Sequence, residues 1–146
     1  MAELKLERRW IIQRAASALK PMSTYTRLYS DEQGESHFAD VEIDFTSTDY
    51  APPAPPLSLS DFTHAKQIGF MQAPAGWSSD WHPTSARNFF VVLSGEWEVT
   101  ASDGESRRFG SGSALLVEDI NGKGHTSRVV SDIDSLAVMV EMAERS

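Results

Sequence analysis

Two histidines and the polar residues near them are the side chains of this sequence best suited to chemistry. His82 is followed, two and six positions later, by Thr84 and Asn88, and His125 lies in a later glycine-rich stretch. An imidazole titrates near pH 6.5, so it can donate or accept a proton at neutral pH. Side chains two apart on a strand share a face, which predicts that His82 and Thr84 point the same way, with Asn88 joining them if the alternation holds.

The elements that must position these residues have the pattern of β-strands. From Thr24 onward, short runs of β-branched and aromatic residues are separated by turns such as Ser94-Gly95 and Ser102-Asp103-Gly104. Seven or eight runs without an intervening long helix predict an all-β, antiparallel barrel or sandwich, with the shared face of His82 inside. The predicted strands lie near residues 25–29, 41–45, 68–70, 89–93, 96–100, 113–117, 126–130 and 136–140.

The spacing of these residues resembles the two signatures of the cupin superfamily. The first, G-x5-H-x-H-x3-E-x6-G, runs from Gly76 to Gly95 and keeps His82, whereas Thr84 and Asn88 replace its second His and its Glu. The resemblance implies a cupin-type jelly-roll barrel over residues 23–146, preceded by a helical or extended segment at 1–22. The second signature, G-x5-7-P-x-G-x2-H-x3-N, is echoed by Gly112, Ile120, Gly122, His125 and Val129.

Metal binding is the part of the cupin pattern that these replacements weaken. The resemblance implies a divalent ion (Fe, Mn, Ni or Zn) held by His82, His125 and Asn88, but one good ligand and one negative charge are lost. Asn88 could still supply a carbonyl oxygen. Glu118 and Asp119 could also fold inward, although their place in a loop favours a solvated position at the barrel rim.

Several further residues are candidates for contact with a substrate. Trp77 and Trp81 could form an apolar lid or only pack the barrel end, and Arg87 could orient an anion or form an exposed salt bridge. No spacing argument links His37 or His64 to the pocket. The predicted substrate-binding residues are therefore Trp77, Trp81, Thr84, Arg87 and Asn88, around the predicted catalytic residues His82 and His125.

Composition narrows the functional class. The chain has 146 residues, a formal net charge of -8 and no cysteine. An acidic chain argues against nucleic acid or an anionic membrane surface as the partner, and no apolar run is long enough to span a bilayer. The lack of cysteine excludes disulfides and thiolate sites and fits a reducing compartment such as the cytoplasm. A small-molecule ligand and a homodimer are the partners expected, since open barrel edges invite pairing.

The first 21 residues differ from the rest of the chain. Leu4, Ile11, Ala15 and Leu19 recur at helical spacing, and five cations face two acids, so this segment carries about +3 against about -11 for the remainder. A basic amphipathic start is typical of organelle-targeting sequences, although these avoid acidic residues. The alternative is a short helix or frayed extension that ends at Pro21.

Two classes of function remain open at this point. The first is an enzyme that uses His82 and His125 for proton transfer, in an isomerisation, elimination or cyclisation of a small molecule. The second is a non-catalytic module that binds a metabolite in the same pocket. A metal-dependent cupin oxygenase is disfavoured by Thr84 and Asn88.

We predict that the domain folds without residues 1–21, because every predicted strand lies after Pro21. Circular dichroism and thermal melting of a chain that starts at Met22 test this prediction. An unfolded or aggregated product would show that the N-terminal segment completes the core, for example by covering a barrel mouth.

Overall fold

The structure, a computed structural model, describes residues 23–144, and the predicted N-terminal extension lies outside the described residues. The regular elements of the described part are β-strands, and it contains no helix that could cross a membrane. In chain order they are β1 (Thr24–Ser30), β2 (Ser36–Glu42), β3 (Thr46–Thr48), β4 (Leu57–Leu59), β5 (Ala65–Ala73), β6 (Asn88–Ser94), β7 (Trp97–Ala101), β8 (Ser106–Phe109), β9 (Ala114–Glu118), β10 (His125–Val129) and β11 (Ser135–Met142).

The strands form two main sheets that enclose the core. A six-stranded sheet has the order β2-β1-β9-β6-β11-β5, and a three-stranded sheet has the order β10-β7-β8. Pairing is antiparallel except between β1 and β9, which run parallel. A separate ribbon of β3 and β4 holds the proline-rich segment at its loop. The prediction of an all-β barrel of mainly antiparallel strands is confirmed, and its two sheets are consistent with the predicted jelly-roll.

Alternation of inward and outward side chains along β6 and β7 builds much of the core between the sheets. In β6, Phe90 and Val92 are buried, and in β7, Trp97 and Val99 are buried. The rings of Phe90 and Trp97 meet edge to face across the core, 5.3 Å apart. The indole of Trp97 donates a hydrogen bond of 2.6 Å to Ser135 Oγ, so its polar group is satisfied although the residue is 3% exposed.

Several strands differ from the sequence prediction, among them the short β3 and β4, which were not predicted. The strand predicted near residues 41–45 begins at Ser36 and ends at Glu42, and Phe45 beyond it is 52% exposed. Strand β8 was not predicted, because two arginines interrupt its apolar alternation. Arg107 there donates to Asp40 at 2.7 Å, so charge pairing between β8 and β2 replaces the apolar contact that a pattern search detects.

Strand β5 is an edge of the six-stranded sheet and is largely exposed. Ile68 and Phe70, two apart and therefore on one face, are 70% and 74% exposed. An unpaired apolar edge is the kind of surface on which a second copy can pair. The homodimer stays a prediction.

A histidine outside the predicted site ties the two sheets together. His37 of β2 contacts Asp31 Oδ2 through Nε2 at 2.6 Å and Asp103 Oδ2 of the β7–β8 turn through Nδ1 at 3.0 Å. The bond to Asp31 raises the pKa of His37, burial opposes this rise, and the bond to Asp103 adds to it. The hydrogen bond with His37 also holds the pKa of the Asp31 carboxyl below its usual value.

We predict that His37 stabilises the fold more at pH 5.5 than at pH 8.5. Because its folded-state pKa is raised, its contribution is fully present below the unfolded value of about 6.5 and is lost as pH rises through the folded value. Urea unfolding of wild type and His37→Gln at both pH values measures the difference. His64→Gln, which removes an imidazole from an exposed position, is the matched control. A His37→Gln penalty that is equal at both pH values would contradict the prediction.

Candidate functional site

A cavity of about 150 Å³, partly open to solvent, lies at one end of the core. Its walls come from both sheets and are mainly apolar, since Met71, Val117 and Met139 extend the core into it. The complete lining is Met71, Trp77, His82, Thr84, Asn88, Phe90, Trp97, Val99, Leu115, Val117, His125, Ser127 and Met139.

His82 and His125 meet at this cavity through their backbones. Each donates its N–H to the carbonyl of the other at 3.0 Å, which forms an isolated antiparallel bridge, and the two rings are 4.7 Å apart. His82 does not lie on a regular strand, in contrast to the sequence prediction, because the chain between β5 and β6 is irregular there. A further bond, from Thr84 N–H to the Asp119 carbonyl, holds the same segment at 3.1 Å.

Gly124 makes this close approach possible. It has φ +74, a conformation that residues with a side chain rarely adopt. A Cβ built at this position would lie 2.1 Å from the carbonyl oxygen of His82 and 2.4 Å from the nitrogen of Pro83. The glycine before His125 is therefore required for the bridge that brings the two imidazoles together.

Asp119 orients the ring of His125. Its Oδ2 lies 2.6 Å from His125 Nδ1, with Asp119 fully buried and His125 6% exposed. A carboxylate only accepts, so Nδ1 donates in this bond, and in the neutral form of the imidazole the lone pair is then on Nε2. The second oxygen of Asp119, Oδ1, has no hydrogen-bond partner within residues 23–144. The negative charge of this carboxylate therefore acts mainly on His125.

Glu118 belongs to a different cluster from its neighbour Asp119. Its side chain is 5% exposed and contacts Arg27 of β1 and, at 2.9 Å, Arg87. Burial by itself raises the pKa of Glu118, but the hydrogen bonds from the two guanidinium groups outweigh it and hold the pKa below its usual value. The expectation that Glu118 and Asp119 are solvated at the rim was wrong, since both are held inside by cationic or imidazole partners.

The structure brings some of the predicted substrate-binding residues to the cavity and leaves others outside it. Trp77, Thr84 and Asn88 line the cavity, and Trp77 is 40% exposed at its rim, edge to face with Trp97. Trp81 is 54% exposed and is not part of the lining, and Arg87 is bound to Glu118 on another side of the sheet.

The donors around the two histidines do not fit a tightly held divalent ion. The carboxylate of Asp119 is bonded to Nδ1 of His125. Asn88 offers a neutral amide, whose nitrogen donates to the Ala86 carbonyl at 2.9 Å. Within residues 23–144 no three His, Asp or Glu side chains are grouped in a way that could hold a metal ion. Two imidazoles and a neutral amide oxygen lack the negative charge that such sites usually provide.

Sequence reasoning named Asp119 as a residue that could fold inward but favoured a solvated position for it, and it did not predict the bond to His125. Asp119 lies in a loop, where side chains do not alternate between two faces. Its position six residues before His125 therefore does not predict that the two side chains meet. The one available signal was the glycine pair Gly122 and Gly124, whose positive φ values fold the loop back toward His125.

We predict that Gly124→Ala destabilises the protein more than Gly104→Ala does. Both glycines have positive φ, so both variants bear a cost of about 1 kcal/mol for an alanine there. Only at Gly124 would the new Cβ meet backbone atoms. Pushing the segment at His82 away adds about 1–3 kcal/mol to the loss in the free energy of unfolding. Urea unfolding gives the two free energies, and imidazole NMR signals report the His82–His125 contact. Equal losses with unchanged signals would contradict this reading.

Comparison with known proteins adds solved structures only, since the chain matches no protein-family model and no curated protein. One similar structure is a cupin domain from Bordetella pertussis Tohama I, 19% identical over 53% of this chain and 80% of that chain, with a TM-score of 0.42. Another is the Schizosaccharomyces pombe Cnp3 cupin domain, 17% identical over 82% and 83% of the two chains, with a TM-score of 0.43. Likeness at this level carries no argument about function. The strand order and the two opposed sheets make the described part of the chain a small all-β barrel, an arrangement consistent with a cupin-type jelly-roll.

Proposed function

We propose that this barrel is a small-molecule enzyme in which His125, oriented by Asp119, transfers a proton to or from a ligand in the cavity. The observation that carries the proposal is the buried bond of 2.6 Å between Asp119 Oδ2 and His125 Nδ1. A carboxylate in this position fixes the imidazole tautomer and stabilises the imidazolium that forms when Nε2 takes up a proton. A buried carboxylate with a second, unpartnered oxygen has little other charge to compensate it.

His82 is suited to a different role from His125. It lies at the exposed side of the cavity, and its Nδ1 is 3.1 Å from the Pro83 carbonyl, an acceptor, so that bond also leaves Nε2 with its lone pair. A solvent-exposed imidazole next to a buried one can return protons to water. With His125 Nε2 taking up one proton from the ligand, and His82 donating to it a proton that its own Nε2 has received from water, a proton could be moved between neighbouring atoms of one ligand. Isomerase, lyase and cyclase reactions need such a transfer.

The cavity restricts the ligand to a small and mostly apolar molecule. An apolar cavity of about 150 Å³ accommodates a benzene-sized ring. The aromatic side chains of Trp77, Phe90 and Trp97 favour a planar or cyclic body. Thr84 and Asn88 add hydrogen-bonding groups that could orient one carbonyl or hydroxyl of the ligand.

The alternative is a binding module without chemistry, with the same cavity and ligand class. The Asp119–His125 pair favours the enzyme, because binding an apolar ligand does not require a buried carboxylate behind the imidazole. A metal-dependent oxygenase is the least supported alternative, given the neutral donor set around the histidines.

We predict that the full-length protein accelerates exchange of the protons next to the carbonyl of cyclohexanone, a probe that matches the cavity in size. Proton NMR in D₂O follows the exchange. His125→Gln and Asp119→Asn should each reduce the rate by about 100-fold, the usual contribution of a positioned general base. Asp103→Asn, which alters a carboxylate–imidazole pair outside the cavity, should leave the rate unchanged.

The outcomes separate the alternatives. NMR signals of the cavity-lining residues that shift when cyclohexanone is added, with no exchange of the cyclohexanone protons, would support the binding module. Exchange that survives in both His125→Gln and Asp119→Asn would overturn the proposal. Stoichiometric Fe, Mn, Ni or Zn in purified protein, lost in His82→Ala and His125→Ala, would instead support the metal site.

A further inference from the structure

The outer face of the six-stranded sheet carries a second, larger groove. It measures about 620 Å³ and is separate from the histidine cavity, with Arg87 on its wall already bound to Glu118. It runs from the β2 side of the sheet to the start of β5, and the loops around residues 43–44 and 60–63 form one of its sides. Phe62, in one of these loops, is 85% exposed beside it.

The floor of this groove is apolar, although it faces away from the core. In β6, Phe89 and Val91 point outward between the buried Phe90 and Val92. Phe89 pairs with Leu116 of β9 and Val140 of β11, which also line the groove. A strand that is apolar on both faces is typical of a sheet covered on both sides, whereas a solvated outer face is usually polar.

The rim of the groove is acidic. Glu42, Asp44 and Asp61 lie along it, and all three are exposed. None of the three forms an ion pair with another residue in the stretch from 23 to 144. The groove therefore combines an apolar floor with unbalanced negative charge, which selects a basic amphipathic partner.

We propose that residues 1–22 of the same chain are that partner and lie across this groove. The segment carries apolar residues at helical spacing (Leu4, Ile11, Ala15, Leu19) and about +3 of charge, opposite in sign to the rim. It joins the described chain at Ser23, two residues before Tyr25, which lines the groove. So short a tether gives the segment a local concentration in the millimolar range.

The dimensions of the segment and the sheet agree. Residues 4–19, at a rise of about 1.5 Å each, would measure about 24 Å as a helix. Six strands at a spacing of about 4.8 Å measure about 24 Å from the first axis to the last. One helix of this length could therefore cover the apolar floor from β2 to β5.

A second copy of the chain is a poorer occupant of the same face. A symmetric dimer joins identical patches, so it would bring two rims of Glu42, Asp44 and Asp61 into one interface. Like charges would then oppose one another at the edge of the interface. The N-terminal segment brings opposite charge to the same place.

Paramagnetic NMR on the full-length protein tests this placement, because the chain has no cysteine and Ala16→Cys accepts a single spin label. We expect the label to broaden the amide signals of Phe62, Val91 and Val140 most strongly and to leave Arg128, on the other sheet, unaffected. A mixture of unlabelled ¹⁵N protein with spin-labelled ¹⁴N protein distinguishes docking within one chain from docking between copies. Broadening that appears in the mixture would assign the groove to a second copy and overturn the proposal.

Charge variants test the recognition itself. Asp44→Lys combined with Asp61→Lys should remove most of the broadening, and adding Arg8→Glu and Arg9→Glu should restore it. Asp80→Lys combined with Asp132→Lys makes the same change in charge at exposed positions outside the groove and should have no effect. Broadening spread evenly over the barrel, or insensitive to Asp44 and Asp61, would overturn the proposal.

Discussion

The site depends on one backbone contact, the pair of hydrogen bonds between His82 and His125. It joins an irregular segment before β6 to the first residue of β10, so imidazoles distant in sequence are held with their rings 4.7 Å apart. The contact exists only because Gly124 has no side chain. This contact places both imidazoles at the cavity, with His125 buried and His82 exposed.

Charge is distributed unequally around this contact. Asp119 places a single buried carboxylate behind His125, while the adjacent Glu118 is neutralised by Arg27 and Arg87. Two consecutive acids thus serve opposite sides of the loop, since alternate residues of an extended chain point in opposite directions. Asp119 supports the imidazole of His125. Glu118, the last residue of β9, joins that strand to Arg27 of β1 and to Arg87, just before β6.

The sequence predicted the features that depend on local pattern, namely strands and their buried faces. It did not predict contacts between residues far apart in the chain. The alternation of Phe90 and Val92 revealed a strand and its buried face, and signature spacing singled out His82 and His125. Periodicity gives the face of a residue but not its partner, so the role of Asp119 behind His125 could not be read. Arg87 could not be placed for the same reason, because its partner Glu118 is remote in sequence.

The parallel pairing of β1 with β9 has a consequence for how the barrel is made. Arg27 and Glu118, which join these strands, are 91 residues apart in the chain. During synthesis the β1–β2 hairpin therefore leaves the ribosome well before the strand that holds it in the sheet. Contacts of such long range slow folding and leave sheet edges exposed while the chain waits for β9. The first hairpin is thus the part of this barrel that must wait for a strand made about 90 residues later before its place in the sheet is fixed.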